Sequence, residues 1–308
     1  MVDESTSPFV QLISGALAGL VSESVVHPID TVRTRLQTQR PTTAGATAVG
    51  VTESTVAQVR YRNTAHALRT ILRQEGVRGL YGGFGPVAAF TVPAHALYFI
   101  GYEATKAALQ PGTPLEEKSP WVHFTAGLVA EVAGALLWTP QDVIKQRLQL
   151  LPPHLRPSAW TAVSAVLRQD GPAGLWRGFG AGVATYAPFM GIYFTAYEYC
   201  KVLAKRATGD TTDAELGLGV YLVSGAIGGG VGAAATCPLD VIKTRIQVQS
   251  KNAAGAYEGI GHVYRTLVRD EGYGALWNGL CARVLWIAPA CAITIAAYEE
   301  LKKLLDSR

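Results

Sequence analysis

The chain has 308 residues, of which 49% are hydrophobic and 16% charged, and its formal net charge is +4. This charge content is low for a soluble chain of that length and favours a membrane protein. The four cysteines form no CxxC pair, so we expect no disulfide or zinc framework, and no nucleic-acid motif accompanies the small positive charge.

Six apolar segments follow one another along the chain and predict six membrane-spanning helices. The stretches without Asp, Glu, Lys or Arg are 5–22, 79–102, 119–130, 178–197, 216–239 and 284–298. A soluble helical array would instead carry a charged face on each helix. The N-terminus, MVDESTSPFV, is acidic and lacks arginine, so we expect neither a secretory signal nor a transit peptide there.

Three charged motifs recur in the same order along the chain. The proline motif reads PIDTVRTRLQ from Pro28, PQDVIKQRLQ from Pro140 and PLDVIKTRIQ from Pro238. It is followed each time by EGVRGLYGG, DGPAGLWRG or EGYGALWNG, and then by YEATK, YEYCK or YEELK. The unit is about 100 residues long, more than an ordinary solenoid repeat. The sequence therefore predicts three tandem repeats, 1–112, 113–212 and 213–308.

The connections between the segments differ in charge. Residues 33–78 contain eight arginines and two glutamates, whereas residues 103–120 contain two lysines and three glutamates. By the positive-inside tendency, the three long connections share one side of the membrane and both termini lie on the other. Residues 41–58 are small and polar, and we interpret them as an insert outside the mechanism.

The motifs Px(D/E)xx(K/R)x(K/R)xQ, (D/E)Gxxxx(W/Y) and YExxK resemble those of the mitochondrial carrier family over almost the entire chain. The resemblance implies an all-α membrane protein with six transmembrane helices in three tandem repeats, pseudo-threefold symmetry and short matrix-side helices. It implies an inner-membrane location, termini facing the intermembrane space, and alternating access to one central site. We expect a monomer without a cofactor. Structural cardiolipin is implied in all three repeats, although Gly82 and Asn278 replace the usual base and only Arg177 keeps it.

Acids and bases three residues apart in the proline motif share one helix face. The resemblance implies that each acid pairs with a base of another repeat and that the ring closes the matrix end; a static contact is the alternative. We expect one glutamine to brace each pair. The expected matrix gate comprises Asp30, Arg33, Gln37, Asp142, Lys145, Gln149, Asp240, Lys243 and Gln247.

The YExxK motifs repeat the same spacing at the opposite end. A second network of similar strength would favour exchange over free uniport, because substrate must help to disrupt each closed network. The expected cytoplasmic gate comprises Tyr102, Glu103, Lys106, Tyr197, Glu198, Lys201, Tyr298, Glu299 and Lys302.

The substrate is expected to bind between these gates. Glu23 and Glu131 precede Asp30 and Asp142 by about two and three helical turns, so they share the inward face. A carboxylate within the membrane is a functional-site hypothesis by default, with pairing to an arginine such as Arg283 as the alternative. The remaining candidates, at or near the contact positions implied by the resemblance, are Phe90, Thr91, His95, Thr185, Tyr186 and Trp286.

These residues favour a small organic cation, since aromatic faces and carboxylates both attract positive charge. Glu23, Glu131 and the RVLWI segment from Arg283 resemble S-adenosylmethionine carriers, but Thr185 and Tyr186 stand where an Arg-Asp pair is expected. VPAHALYFIGYE, with His95, resembles mitoferrins, which makes iron an alternative. A carboxylate or amino acid is a further one.

A role other than transport is also considered. The sequence contains no P-loop, GxSxG, HExxH or dinucleotide fingerprint, so we predict no enzyme activity. A proton-leak or scaffold protein of the membrane is the stronger competitor.

Overall fold

The computed structural model describes residues 8–39, 60–109, 120–208, 217–252 and 256–306. The predicted insert at 41–58 lies outside them. Ten α-helices occupy the described residues: α1 (Pro8–Thr38), α2 (Thr64–Leu80), α3 (Phe84–Leu109), α4 (Pro120–Gln149), α5 (Ala159–Asp170), α6 (Phe179–Thr208), α7 (Leu218–Ala235), α8 (Cys237–Val248), α9 (Ile260–Asp270) and α10 (Leu280–Asp306).

Six long helical columns correspond to the six predicted segments: α1, α3, α4, α6, α7 with α8, and α10. In the described residues, three spans are long and apolar enough to cross a membrane by length and composition: Phe84–Leu109, Leu218–Ala235 and Tyr273–Tyr298. The columns α1 and α4 carry the charged proline motif in their C-terminal halves. The short helices α2, α5 and α9 lie in the three long connections, where short helices were expected.

Burial is reversed relative to a soluble protein. The side chains of Val25, Ile100, Phe194 and Val223 are each more than half exposed, whereas the charged proline motif is buried inside the bundle. An apolar exterior around a charged interior suits a helical bundle whose solvent is lipid.

The glycines of α7 bring it close to the helices on both sides. A Cβ at Gly228 would lie 2.9 Å from the Tyr193 carbonyl oxygen of α6, and one at Gly229 would lie 2.9 Å from the Cys291 sulfur of α10. Small residues allow such close backbone approach, which replaces side-chain interdigitation in membrane helix packing.

Each short helix packs on the end of a proline-motif helix of its own repeat. In repeat 1, Val32 and Leu36 of α1 form a buried cluster with Ala67 and Ile71 of α2. The corresponding clusters join α4 to α5 and α8 to α9. Apolar contacts therefore attach every short helix to the segment that carries the charged ring.

The three columns that carry the proline motif differ in whether the helix continues through it. The helices α1 and α4 continue through Pro28 and Pro140, whereas the third column is interrupted at Thr236, between α7 and α8. Proline lacks an N–H group and disrupts the helical hydrogen-bond ladder, so a kink or break is expected at each site. Only the third repeat separates into two helices there.

Candidate transport site and gates

The six charged residues of the expected matrix gate lie together in a ring, and five ion-pair contacts join them from Asp240 round to Lys243. Each acid lies within ion-pair distance of a base from another repeat: Lys145 Nζ to Asp30 Oδ2 at 3.2 Å, Lys243 Nζ to Asp142 Oδ2 at 2.9 Å, and Arg33 Nε to Asp240 Oδ2 at 3.6 Å. Two contacts within a helix link these pairs, Arg33 to Asp30 at 3.2 Å and Lys145 to Asp142 at 3.6 Å. The described conformer is therefore closed at this end.

Two of the three expected glutamine braces are present. Gln37 Nε2 donates to Asp240 at 2.8 Å, and Gln149 Nε2 donates to Asp30 at 3.0 Å. The expectation of a third brace is wrong, because Gln247 Nε2 has no hydrogen-bond partner within the described part of the chain.

The residue that binds each glutamine oxygen explains the difference. Thr34 and Thr244 hydroxyls donate to Gln149 and Gln37, whereas Gln146 Nε2 donates to Gln247 Oε1 at 2.9 Å. Because glutamine extends further from its helix than threonine, it holds the Gln247 amide away from Asp142. The Asp142–Lys243 pair is also the most accessible, with side chains 19% and 23% exposed.

The second base of each proline motif connects three parts of the protein. Arg35, Arg147 and Arg245 form ion pairs with Glu75, Asp170 and Glu271 near the ends of the short helices. Each Nε also donates to the backbone of another repeat, at Gln149, Gln247 and Gln37 respectively. Each arginine thus joins its short helix to another repeat.

Asp170 receives more hydrogen bonds than this pairing alone provides. Ser250 Oγ donates to it at 2.5 Å, and the Lys251 N–H donates at 2.8 Å. Burial alone would raise the pKa of Asp170, but the bonds from Ser250 and Arg147 outweigh it and hold the pKa below its usual value.

A base from another part of the chain replaces the one missing at Gly82. In repeat 2, Arg177 donates to the Ile246 carbonyl at 3.0 Å. In repeat 1, a Cβ at Gly82 would lie 2.5 Å from Arg156 Nη2, and Arg156 Nε donates at 3.0 Å to the carbonyl of Leu148, which corresponds to Ile246 in the proline motif. The two guanidinium groups therefore occupy corresponding places.

The opposite end is arranged differently. Glu103 and Glu198 are 61% and 60% exposed, and each pairs with a lysine of its own helix, Lys106 at 3.9 Å and Lys201 at 3.1 Å. The ammonium groups of Lys106 and Lys201 lie 5.8 and 5.3 Å from the ring centroids of Tyr102 and Tyr197. The side chains of Glu299 and Lys302 lie outside the described ones. Compared with the buried ring, the acids at this end are open to solvent.

Glu23 and Glu131 are carboxylates without a counterion of their own. Each has a buried Oε2 atom that finds no hydrogen-bond partner among the described residues, and Glu131 is only 8% exposed. Glu23 interacts electrostatically with Lys145, while Glu131 interacts with Lys243. Glu131 also accepts a hydrogen bond from Tyr186. Both bases are already engaged in the ring, so the unpartnered Oε2 atom of each glutamate retains binding capacity.

Arg283 does not pair with either glutamate. Its Nη1 donates to the Thr236 carbonyl at 2.8 Å, its Nη2 contacts Thr236 Oγ1 at 2.9 Å, and Nη1 lies 3.4 Å from Asp240. This side chain is 3% exposed and joins α10 to the α7–α8 break. The structure thus places it beside the ring, away from the two free carboxylates.

The expected contact residues differ in what they can offer. The hydroxyls of Thr91 and Thr185 donate to carbonyls of their own helices, at 2.6 and 2.7 Å. Trp286 lies against the charged ring of the matrix gate, and the Arg33 guanidinium carbon is 4.3 Å from the centroid of the Trp286 indole. Phe90 and Tyr186 are half-buried, and the Tyr186 hydroxyl is hydrogen-bonded to Tyr98 and Glu131.

His95 is held by packing contacts. Its Nδ1 lies 2.8 Å from the Thr91 carbonyl, and its ring meets Trp138 edge-on at 5.6 Å. A Cβ at Gly19 would lie 3.2 Å from it. The described residues hold no group of three or more His, Cys, Asp and Glu arranged to bind a metal ion.

Two aromatic residues near Glu131 were not singled out in the sequence. The Tyr98 and Trp138 ring centroids are 5.9 Å apart, and Tyr186 lies beside Tyr98 and Glu131. The seven-residue spacing from Glu131 to Trp138 was the available signal, because it places both on one face of α4.

Comparisons with known proteins agree with the symmetry of the fold. The family model described as "Mitochondrial carrier protein" matches residues 4–112, 116–207 and 214–308. The chain is 41% identical to "Mitochondrial substrate carrier family protein E" of Dictyostelium discoideum, over 99% of this chain and 98% of that protein.

Other relatives are named for different solutes. The chain is 34% identical to "S-adenosylmethionine carrier 1, chloroplastic/mitochondrial" of Arabidopsis thaliana, over 97% of this chain and 80% of that protein. It is 32% identical to human "Mitoferrin-2", over 96% of this chain and 77% of that protein. The predicted all-α fold of three repeats is confirmed, and this chain belongs to the mitochondrial carrier family of membrane transporters.

Proposed function

We propose that this carrier moves a small organic cation across the mitochondrial inner membrane by alternating access, with S-adenosylmethionine as the leading candidate. The observation that supports this most is the pair of buried carboxylate oxygens on Glu23 and Glu131 without protein partners. Burying a carboxylate without a counterion is costly in free energy because the charge loses its hydration. A positively charged cargo would offset this cost, which the protein's own side chains do not.

The conformer described here corresponds to the state that receives cargo from the intermembrane-space side. Its matrix ring is closed, and the acids Glu103 and Glu198 at the other end are exposed. Both termini face the intermembrane space in this orientation, and the carrier acts as a monomer with cardiolipin as a structural lipid.

Cargo binding is coupled to the matrix ring through Glu23. This carboxylate attracts Lys145 and Arg33, which also belong to the ring. A cation that neutralises Glu23 removes that attraction and repels both bases, so it binds the closed state and the opened state with different free energies. Such differential binding is what shifts a conformational equilibrium. The closed ring opens without cargo only at a cost, which favours exchange.

Among the alternatives, iron has the weaker support. The mitoferrin relative suggests it, but His95 is engaged with Thr91 and Trp138, and its nearest acids do not form a metal-binding group within the described residues. A carboxylate or amino acid cargo would need a free base, and Arg283 is already held by Thr236 and Asp240.

Transport by reconstituted protein tests the proposal. Purified carrier in liposomes should take up labelled S-adenosylmethionine saturably, and Glu23→Gln and Glu131→Gln should each reduce uptake at least tenfold while the bundle stays folded. The matched control is Glu258→Gln at an exposed position, which should leave uptake unchanged. Unchanged uptake in both glutamate variants would refute the cation proposal, and proton conductance without saturable solute flux would favour the leak alternative.

A further inference from the structure

Two aromatic residues on neighbouring helices, Tyr98 and Tyr186, interact with Glu131, and a third, Trp138, packs on Tyr98. Tyr98 of α3 and Trp138 of α4 lie 5.9 Å apart between centroids, at an interplanar angle of 46°. Tyr186 of α6 lies beside both Tyr98 and Glu131. These three residues, here called the aromatic cluster, are each half-buried, and the Trp138 ring also meets His95 edge-on.

The aromatic cluster lies on the inner face of α4. Glu131, Gly134 and Trp138 follow the i, i+3, i+7 spacing that places residues on one helix face. The opposite face carries Val132 and Leu136, which are 38% and 47% exposed. Since α3 and α6 pack on either side of α4, Tyr98 and Tyr186 can meet only across its inward surface.

Gly134 determines where the Trp138 ring lies. A Cβ at this position would be 2.5 Å from Cζ3 of the indole. Real side chains do not tolerate that distance, so any larger residue would move the ring. The glycine therefore lets the indole lie back along α4 toward Glu131, whose carboxylate accepts a hydrogen bond from Tyr186 while its Oε2 atom has no hydrogen-bond partner among the described residues.

We propose that the aromatic cluster holds the onium centre, a sulfonium or quaternary ammonium, of the transported cation against Glu131. Such a centre has no N–H to donate and is weakly hydrated, so ring faces can replace its water while the carboxylate balances its charge. This inference rests on the proposed function and divides the site: Glu131 receives the onium centre, and Glu23 receives a second positively charged group of the same cargo.

Two probes that differ by one methyl group and one charge test the assignment. S-adenosylmethionine carries a sulfonium, and S-adenosylhomocysteine is the corresponding neutral thioether. Calorimetry on the purified carrier should show tighter binding of the sulfonium. Trp138→Leu should reduce that preference about 5- to 30-fold, the range of one cation–aromatic contact in a desolvated site. Trp138→Phe should retain part of it.

Gly134→Ala should lower the preference similarly, although it removes no polar or aromatic group. The matched control is Trp160→Leu, at a tryptophan of α5 that is 76% exposed, and it should change nothing. Thermal unfolding of each variant identifies the folded ones. If Trp138→Leu and Gly134→Ala are folded and keep the wild-type preference while Glu131→Gln loses binding, this inference fails and the proposed function stands. Wild-type protein without preference for the sulfonium would overturn both.

Discussion

The unequal glutamine braces of the matrix ring lead to a quantitative prediction about stability. Gln37→Ala and Gln149→Ala each remove a hydrogen bond to a charged carboxylate, worth about 1.5–3 kcal/mol. Gln247→Ala removes a bond between two neutral amides, worth about 0.5–1.5 kcal/mol. With an unfolding entropy of about 2.1 cal/mol/K per residue, these losses lower Tm by roughly 2–5 °C and 1–2 °C respectively.

Thermal unfolding of the purified carrier measures this difference. A thiol-reactive dye reports unfolding through Cys237, which is buried in the folded protein, above a background from the exposed Cys281. The order of the three variants is more informative than any single value, because all three remove the same side chain. A loss of Tm for Gln247→Ala as large as those of the other two would refute the argument.

Gln146→Thr provides the complementary variant, since threonine occupies this position in the other two repeats. We expect the Gln247 amide then to reach Asp142 and Tm to rise by about 1–3 °C. In this background Gln247→Ala should become as costly as Gln37→Ala, a coupling that a double-mutant cycle measures directly. If the effects of Gln146→Thr and Gln247→Ala simply add, Gln146 is not what displaces the brace.

Three further predictions concern other parts of the network. Arg156→Ala should lower Tm, and Gly82→Arg in that background should restore part of the loss; no restoration would show that the two positions do not share a site. The ionised Asp170 stabilises the folded protein at any pH above the pKa of this residue in the unfolded chain, and the stabilisation is lost as pH falls below about 4 toward its lowered pKa in the folded protein. Asp170→Asn should therefore flatten the acid side of a curve of Tm against pH. Asp30→Asn should destabilise the protein by about 3–5 kcal/mol because it removes a fully buried charge that both Arg33 and Lys145 contact, whereas the exposed Glu103→Gln should cost less than about 1 kcal/mol. The reverse order in thermal unfolding would contradict the assignment of the closed end.

The sequence predicts the architecture and the common face of the charged residues well because both depend on periodicity. Six uncharged stretches and three copies of the proline motif are sufficient for the repeats, and the three-residue spacing of Asp30 and Arg33 fixes their common face. The resemblance to the carrier family then implies which bases the acids meet, and the structure pairs Asp30 with Lys145.

The deviations from symmetry could not be predicted in this way. The failure of the Gln247 brace depends on the length of Gln146, and the place of the base absent at Gly82 is taken by Arg156, 74 residues later in the chain. Both are contacts between repeats, whose distances no spacing within one repeat specifies. The position of Trp138 likewise depends on the missing side chain of Gly134.

The interruption between α7 and α8 makes one third of the bundle mechanically distinct. Thr236, at the joint, is clasped by Arg283, which also touches Asp240 of the ring. Any movement of α8 away from α10 must therefore break the contacts of the Arg283 guanidinium as well as those of the Asp240 carboxylate. In the other two proline-motif columns, α1 and α4, the helix is uninterrupted. The three repeats therefore need not change conformation at the same time, and α8 can move separately from α7.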